Sequence, residues 1–299
     1  MHITGLHLLL TYRCTYECDH CFVWSSPHAN GTMTLAWAKD AVRQAAELGS
    51  VNSICIEGGE PFLFYPIMIE IARYARELGL GVSIVTNGYF GTSVEDALEW
   101  LKPLQDIGVS PMFISDDSYH SGITASKTPA DYAVEAAQQL GINSIPICID
   151  PPTSVEDERN PGEAIMGGGV RFRGRAVDKL QDDSLPKRNW DCFNVCLDED
   201  FDQVKRLHLD AYGNLYPCQG VVVGNLKRNS LAEVVQRYDP QTHPIIAPIH
   251  EGGPAELVRK YNLPLHGQYL DACHLCYLAR KMLLKKYPEY LAPAQVYGV

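Results

Sequence analysis

Residues 12–24, Y-R-C-T-Y-E-C-D-H-C-F-V-W, gather three thiols, Cys14, Cys18 and Cys21, in one short loop directly after an apolar run at 3–10. Thiolates favour iron-sulfur clusters, zinc or Cu(I), and a four-iron cluster ordinarily takes one cysteine per iron. Three cysteines leave one iron open. A small molecule carrying an amino and a carboxylate group can chelate it and bring its own reactive bond alongside. The other readings of the loop are disulfides or a structural zinc site completed by His20, although structural zinc ordinarily draws four ligands from paired patterns.

The chain around this loop alternates between two periodicities. The run at 3–10 reads as a buried strand, and Thr34 as the N-cap of a helix to about 48, stopped by Gly49. Strands are expected at 51–57, 82–86, 109–115 and 145–149, with helices at 65–78, 93–107 and 129–140 between them. Such alternation predicts parallel strands with helices packed outside, because a parallel pair needs a crossover connection. Periodicity does not separate a partial barrel from a doubly wound sheet, but both place chemistry at the carboxyl ends of the strands. V-R-F-R at 170–173 is read as a sixth strand, and 151–169, rich in Pro, Gly and charge, as a loop over the mouth.

Four polar motifs fall at strand ends: the cysteine loop, E-G-G-E-P at 57–61, T-N-G at 86–88 and S-D-D at 115–117. C-x3-C-x2-C followed by the aromatic Phe22, with Gly58, Gly59, Glu60 and Pro61 after the next strand, resembles the radical S-adenosylmethionine (SAM) superfamily. The resemblance implies an α/β fold, a partial (β/α)6 TIM-like barrel. It also implies a [4Fe-4S] cluster on Cys14, Cys18 and Cys21 whose fourth iron is chelated by SAM. Reductive cleavage of SAM would then yield a 5′-deoxyadenosyl radical that abstracts hydrogen from a substrate. In related enzymes G-G-E-P receives the SAM amino group, Thr86 and Asn87 occupy the approach from the third strand, and the S-x-D positions Ser115 and Asp117 meet the ribose. Arg175, in G-R-A, resembles a position that could meet the SAM carboxylate. Asp116 and His120 depart from the more usual S-x-D-G and are the candidates for substrate chemistry, His being a common proton carrier near neutral pH.

A second cysteine group, Cys192, Cys196, Cys218, Cys273 and Cys276, lies toward the carboxyl end. G-x4-C at 213–218 and the closing C-x2-C resemble the SPASM and twitch auxiliary domains of many radical SAM enzymes. At four ligands per cluster, five candidates imply one auxiliary [4Fe-4S] cluster on Cys218, Cys273, Cys276 and either Cys192 or Cys196. Four thiolates suit zinc as well. The domains expected are a barrel at 1–185 and an auxiliary-cluster unit at 186–299.

Lys and Arg number 25 against 36 Asp and Glu, a net charge of −11, which disfavours a nucleic acid partner; the one short basic cluster is Arg171, Arg173 and Arg175. There is no apolar run of membrane-spanning length and no signal-peptide pattern at the start, so a soluble cytoplasmic protein is expected. Ten cysteines then argue for metal or redox chemistry, with Cys55 and Cys148, set in apolar runs, read as small core residues. The expected activity is hydrogen abstraction from a peptide or protein substrate, with net oxidation through the auxiliary cluster as an option and a flavodoxin- or ferredoxin-type reductant. A small-molecule substrate such as a sugar or nucleotide is the alternative, and a noncatalytic zinc scaffold the third reading.

Overall fold

In this computed structural model, which describes residues 1–121, 127–158 and 162–299, the alternation forms a parallel sheet. Gly5–Thr11 (β1), Ser53–Gly58 (β2), Gly81–Thr86 (β3), Met112–Ser115 (β4) and Ser144–Ile147 (β5) pair consecutively, all parallel. Leu35–Glu47 (α1), Tyr65–Glu77 (α2) and Val94–Ile107 (α3) link the first four strands, and the short Ser118–Ser121 (α4) precedes Pro129–Gln139 (α5). Local chemistry sets the helix starts. Thr34 accepts from Trp37 N–H, Ser93 from Asp96 N–H, and Thr128 shares a reciprocal capping box with Asp131. Period-two alternation on β1 sends Leu6, Leu8 and Leu10 into the core beneath the helices, while Leu9 and Tyr12 join a second core on the other face.

The chain after residue 150 departs from expectation in two ways. Segment 151–169 is not a plain loop: Thr153–Glu156 (β6) and Ala164–Gly167 (β7) pair as an antiparallel ribbon, with positions 159–161 outside the described residues. Residues 170–173 are not a strand: Phe172 N–H donates to Asp271 Oδ2 (3.1 Å) and Arg173 N–H turns back to Arg171 O (2.7 Å). Ala176–Lys179 (α6) and Arg188–Asn189 (β8) follow. The strand that extends the sheet beyond β1 is Arg206–Leu209 (β9), parallel to β1, with Asn214–Tyr216 (β10) and Gly224–Asn225 (β11) antiparallel outside it. The eight-stranded order is β11-β10-β9-β1-β2-β3-β4-β5. Leu231–Arg237 (α7), Ile246–Tyr261 (α8), Gln268–Tyr269 (β12, paired with β8) and Ala272–Leu283 (α9) complete the chain. Cys55 is buried as expected, but Cys148 is exposed, since it follows the edge strand β5, two of whose four residues are themselves exposed. Among the described residues, no helix is long and apolar enough to cross a membrane.

Buried polar residues join the two halves of the sheet. Fully buried Asp210 accepts from Tyr12 Oη (3.0 Å), Tyr212 N–H, Asn214 N–H (both 2.9 Å) and Asn214 Nδ2 (3.0 Å). Replacing it with alanine strands four donors, and each unsatisfied buried donor costs about 1–3 kcal/mol before relaxation. Asp210→Ala is therefore expected to lower the urea midpoint by an amount worth about 3 kcal/mol at unchanged m-value. Glu57, at the end of β2, likewise bridges His7 Nδ1 (3.2 Å) and His208 Nδ1 (2.5 Å) across three adjacent strands. Burial opposes the charge on Glu57, yet the two imidazoles hold its carboxyl well below the usual range, while burial holds His208 below its ordinary value.

Candidate functional site

The carboxyl ends of β1 to β4 open into a cavity of about 200 Å³. Its wall includes Cys14, Cys18, Cys21 and Phe22 from the loop after β1, Gly58 and Gly59 after β2, Thr86 and Asn87 at the end of β3, and Ser115, Asp117 and His120 after β4. Residues far apart in sequence converge because every strand points the same way.

The cysteine loop is held from three sides. Cys14 N–H donates to Ser26 O (3.0 Å) and Cys21 N–H to Cys18 O (3.1 Å). Glu60 N–H donates to Arg13 O (2.9 Å), and Gly59 packs so tightly on the loop that an added Cβ would lie 2.2 Å from Arg13 O. Its lack of a side chain thus serves loop packing. Arg175, 2% exposed, donates through Nη1 to Cys18 O (2.7 Å) and through Nη2 to Ser25 O (2.6 Å). It is absent from the cavity wall and acts as a clamp on the loop.

Donors also face the sulfurs: Tyr16 N–H and Asn87 Nδ2 lie 3.5 Å from Cys14 Sγ, and Ser25 N–H 3.3 Å from Cys21 Sγ. Burial pushes the Cys14 thiol up to about 11 and raises Cys18 further, with the neighbouring thiols adding to both. Three thiolates are favourable here only around a cationic group, which lowers thiol pKa. Three soft thiols on one cavity wall, with N–H donors facing two of the sulfurs, suit a [4Fe-4S] cluster.

The other predicted positions divide. Glu60 is fully buried, its carboxylate taken by Phe62 N–H (3.0 Å), Thr86 Oγ1 (2.8 Å) and Asn87 N–H (2.8 Å), and burial pushes its pKa up to about 7 against those donors. Its side chain and that of buried Pro61 lie off the cavity wall, so the carboxylate ties β2 to β3. Asp116 also lies off the wall, near Thr128 Oγ1 (3.5 Å). Asp117 pairs with His120 Nδ1 (2.7 Å) and caps Tyr119 N–H (3.0 Å); burial would raise its pKa, but His120 draws it below the usual range. His20, expected as a zinc ligand in the alternative reading, instead lies with Asp117 and His120, its ligand atom and theirs within 4.8 Å of one another. Burial lowers His20 to about 4, which keeps it neutral.

A second cavity, of about 190 Å³, is lined by Cys196, Cys218, Cys273 and Cys276 together with Arg173 and Asp198. Cys192 is exposed and lies outside that lining. Burial raises the thiol pKa values of Cys196, Cys273 and Cys276, the last to about 12. The ribbon residues Met166 and Gly167 line this second cavity and not the first.

Sequence reasoning missed Glu57 and Arg173 as cavity residues. The signal for Glu57 was present as a charge closing an apolar strand, with His7 and His208 each interrupting apolar runs. Arg173 gave none beyond membership of a short basic cluster.

Comparison with known proteins agrees with this geometry. YydG of Bacillus subtilis (strain 168), a protein assigned to peptide biosynthesis, is 28% identical over 256 residues, covering 80% of this chain and 76% of that protein. The S-adenosylmethionine-dependent nucleotide dehydratase of Selenomonas ruminantium is 34% identical over 83 residues, 28% of this chain and 29% of that one. The crystal structure of BtrN in complex with AdoMet and 2-DOIA superposes with a TM-score of 0.52 at 15% identity, over 88% of this chain and 91% of that chain, a likeness of fold. The Radical SAM superfamily model matches residues 8–159, half of the chain and the half that builds the first cavity, and this protein belongs to the radical SAM superfamily of enzymes, which bind a [4Fe-4S] cluster and SAM.

Proposed function

We propose that the chain is a peptide-modifying radical SAM enzyme with one auxiliary [4Fe-4S] cluster. The observation that carries the reading is the convergence of all three loop thiols with the ends of β2, β3 and β4 on one cavity. Cys14, Cys18 and Cys21 would hold the SAM-binding cluster, and Cys196, Cys218, Cys273 and Cys276 the auxiliary one. When bound, the first cluster would supply one electron, drawn from a flavodoxin- or ferredoxin-type reductant, to the SAM sulfonium, whose C5′–S bond would break to leave methionine and a 5′-deoxyadenosyl radical. The chain's own residues prepare that event. Arg175 fixes the carbonyls of the loop, Asn87 donates to Cys14, and Ser115 and the backbone of Gly58 and Gly59 offer polar partners for SAM. His120, with Nδ1 engaged by Asp117, keeps Nε2 for proton exchange with a substrate. A boundary at about residue 185 would put Cys14, Cys18 and Cys21 before it and the cysteines of the second site after it, although the sheet runs through both parts and Met166, Gly167 and Arg173 line the second cavity.

A peptide substrate is favoured by the likeness to YydG. Four-fifths of the chain cannot fit before residue 186, so that likeness extends into the auxiliary part. The short match to a nucleotide dehydratase favours the small-molecule alternative but covers under a third of the chain. The test is anaerobic incubation of reconstituted enzyme with dithionite, SAM and a panel of short peptides, set against nucleotides and sugars. A peptide mass change with matching 5′-deoxyadenosine is expected. Turnover of nucleotides or sugars alone would overturn the peptide reading.

A further inference from the structure

Five residues, Arg171-Phe172-Arg173-Gly174-Arg175, thread between the two cysteine sites and touch both. Toward the first site, Arg175 clamps Cys18 O and Ser25 O, and Gly174, at φ +61°, leaves only 2.4 Å between an added Cβ and Cys21 O. Toward the second, Arg171 Nε donates to Asp198 Oδ1 (2.9 Å), and Asp198 Oδ2 accepts from Cys273 Sγ (2.6 Å). Phe172 N–H donates to Asp271, the N-cap of the helix that carries Cys273 and Cys276.

Arg173 stands at the middle and faces both ways. Its Nη1 lies 3.7 Å from Cys218 Sγ, and its guanidinium carbon 5.4 Å from the centre of the Phe22 ring, next in the chain to Cys21. A guanidinium remains charged in proteins and combines a hydrogen-bonding fork with a face that stacks on aromatic rings.

We propose that Arg173 is a positioning residue shared by the two sites: a fixed cation hydrogen-bonded to a ligand of the auxiliary cluster, set there to raise that cluster's reduction potential. The proposal rests on the auxiliary-cluster reading. One-electron reduction adds one negative charge to a cluster, and a neighbouring cation in a site of low effective dielectric stabilises that added charge. Hydrogen bonds to the sulfurs and local charge are the levers by which proteins set such potentials.

The test uses the full chain carrying Cys14→Ala, Cys18→Ala and Cys21→Ala, so that only the auxiliary cluster contributes. After anaerobic reconstitution, about four irons per chain are expected. Absence of iron would end the auxiliary-cluster reading and this proposal with it. With iron present, an EPR-monitored redox titration compares Arg173 with Arg173→Gln and Arg173→Lys in the same background. The Gln variant is expected to lower the reduced-to-oxidised ratio at fixed potential at least about tenfold, a midpoint about 59 mV lower for one electron. The Lys variant should recover at least half of that shift. An unmoved midpoint with the iron retained overturns the proposal alone. Should the Gln variant fail to take up iron, chains grown on 15N-arginine decide instead. A 15N coupling to the reduced cluster that is lost in Arg173→Lys supports the proposal, and the same coupling in both chains overturns it.

Discussion

Cys18→Ala is expected to abolish formation of 5′-deoxyadenosine from SAM and to remove about half of the iron, from about eight to about four per reconstituted chain, counting four per cluster. Cys18 is buried in the centre of the loop, and its backbone carbonyl is gripped by Arg175. With one of three sulfurs missing, two ligands remain for the first cluster. His20, close by in sequence, lies with Asp117 and His120 instead. The remaining iron should sit on the auxiliary cysteines, so iron analysis combined with chromatography of the nucleoside product checks both halves of the claim. Undiminished product from the variant would remove Cys18 from the ligand set.

Gly59→Ala is expected to disrupt the first site strongly. The new Cβ would lie 2.2 Å from Arg13 O, 2.6 Å from Arg13 C and 2.8 Å from Tyr12 O, all backbone atoms of the loop that follows β1. A flexible side chain could swing away; backbone locked by the Glu60 N–H to Arg13 O bond cannot. Overpacking ordinarily costs 1–3 kcal/mol and more where nothing yields, so about 4 kcal/mol is expected, with loss of the first cluster. Gly49→Ala is the control: its φ of +75° carries the left-handed penalty, but nothing lies within 4 Å of the added atom, so about 1 kcal/mol should be lost. Urea midpoints of the two variants at equal m-value make the comparison. Equal losses would mean that the G-G-E-P glycine does not serve loop packing.

The contrast between Gly59 and Arg175 marks how far the sequence was legible. The five parallel strands were readable because period-two and period-3.6 patterns differ over a few residues, and the strand ends followed from them. The cysteine spacing was readable because ligand identity is local. Which atoms face the cavity was less so: Glu60 and Arg175 carry motif identities, yet one carboxylate is consumed by three donors from β3 and its own turn, and one guanidinium by two loop carbonyls. Those partners are set by tertiary packing, which no local pattern encodes.

Strand β9 escaped for a related reason. Its pairing with β1 joins Gly5 to Arg206 and His7 to His208 across some two hundred residues. The ribbon at 153–167 escaped because all four residues of β6 are exposed, so no apolar alternation announces it. Residues 170–173 misled in the opposite direction: an alternating V-R-F-R with a strand's period has the Phe172 N–H bonded to Asp271 and the Arg173 N–H turned back to Arg171 O. Between Cys192 and Cys196, spacing leaned toward Cys196, and the second cavity is lined by Cys196 and not by Cys192.

The central claim, that the loop cysteines leave one iron for SAM, is tested most directly by pulsed EPR of the reduced enzyme with SAM labelled by 15N at its amino group and 17O at its carboxylate. The chain carrying Cys196→Ala, Cys218→Ala and Cys273→Ala isolates the first cluster. Hyperfine couplings from both labels, present with SAM and lost when Cys14, Cys18 and Cys21 are replaced, are the expected result. A reduced cluster whose spectrum carries no coupling from either label at saturating SAM would contradict the account.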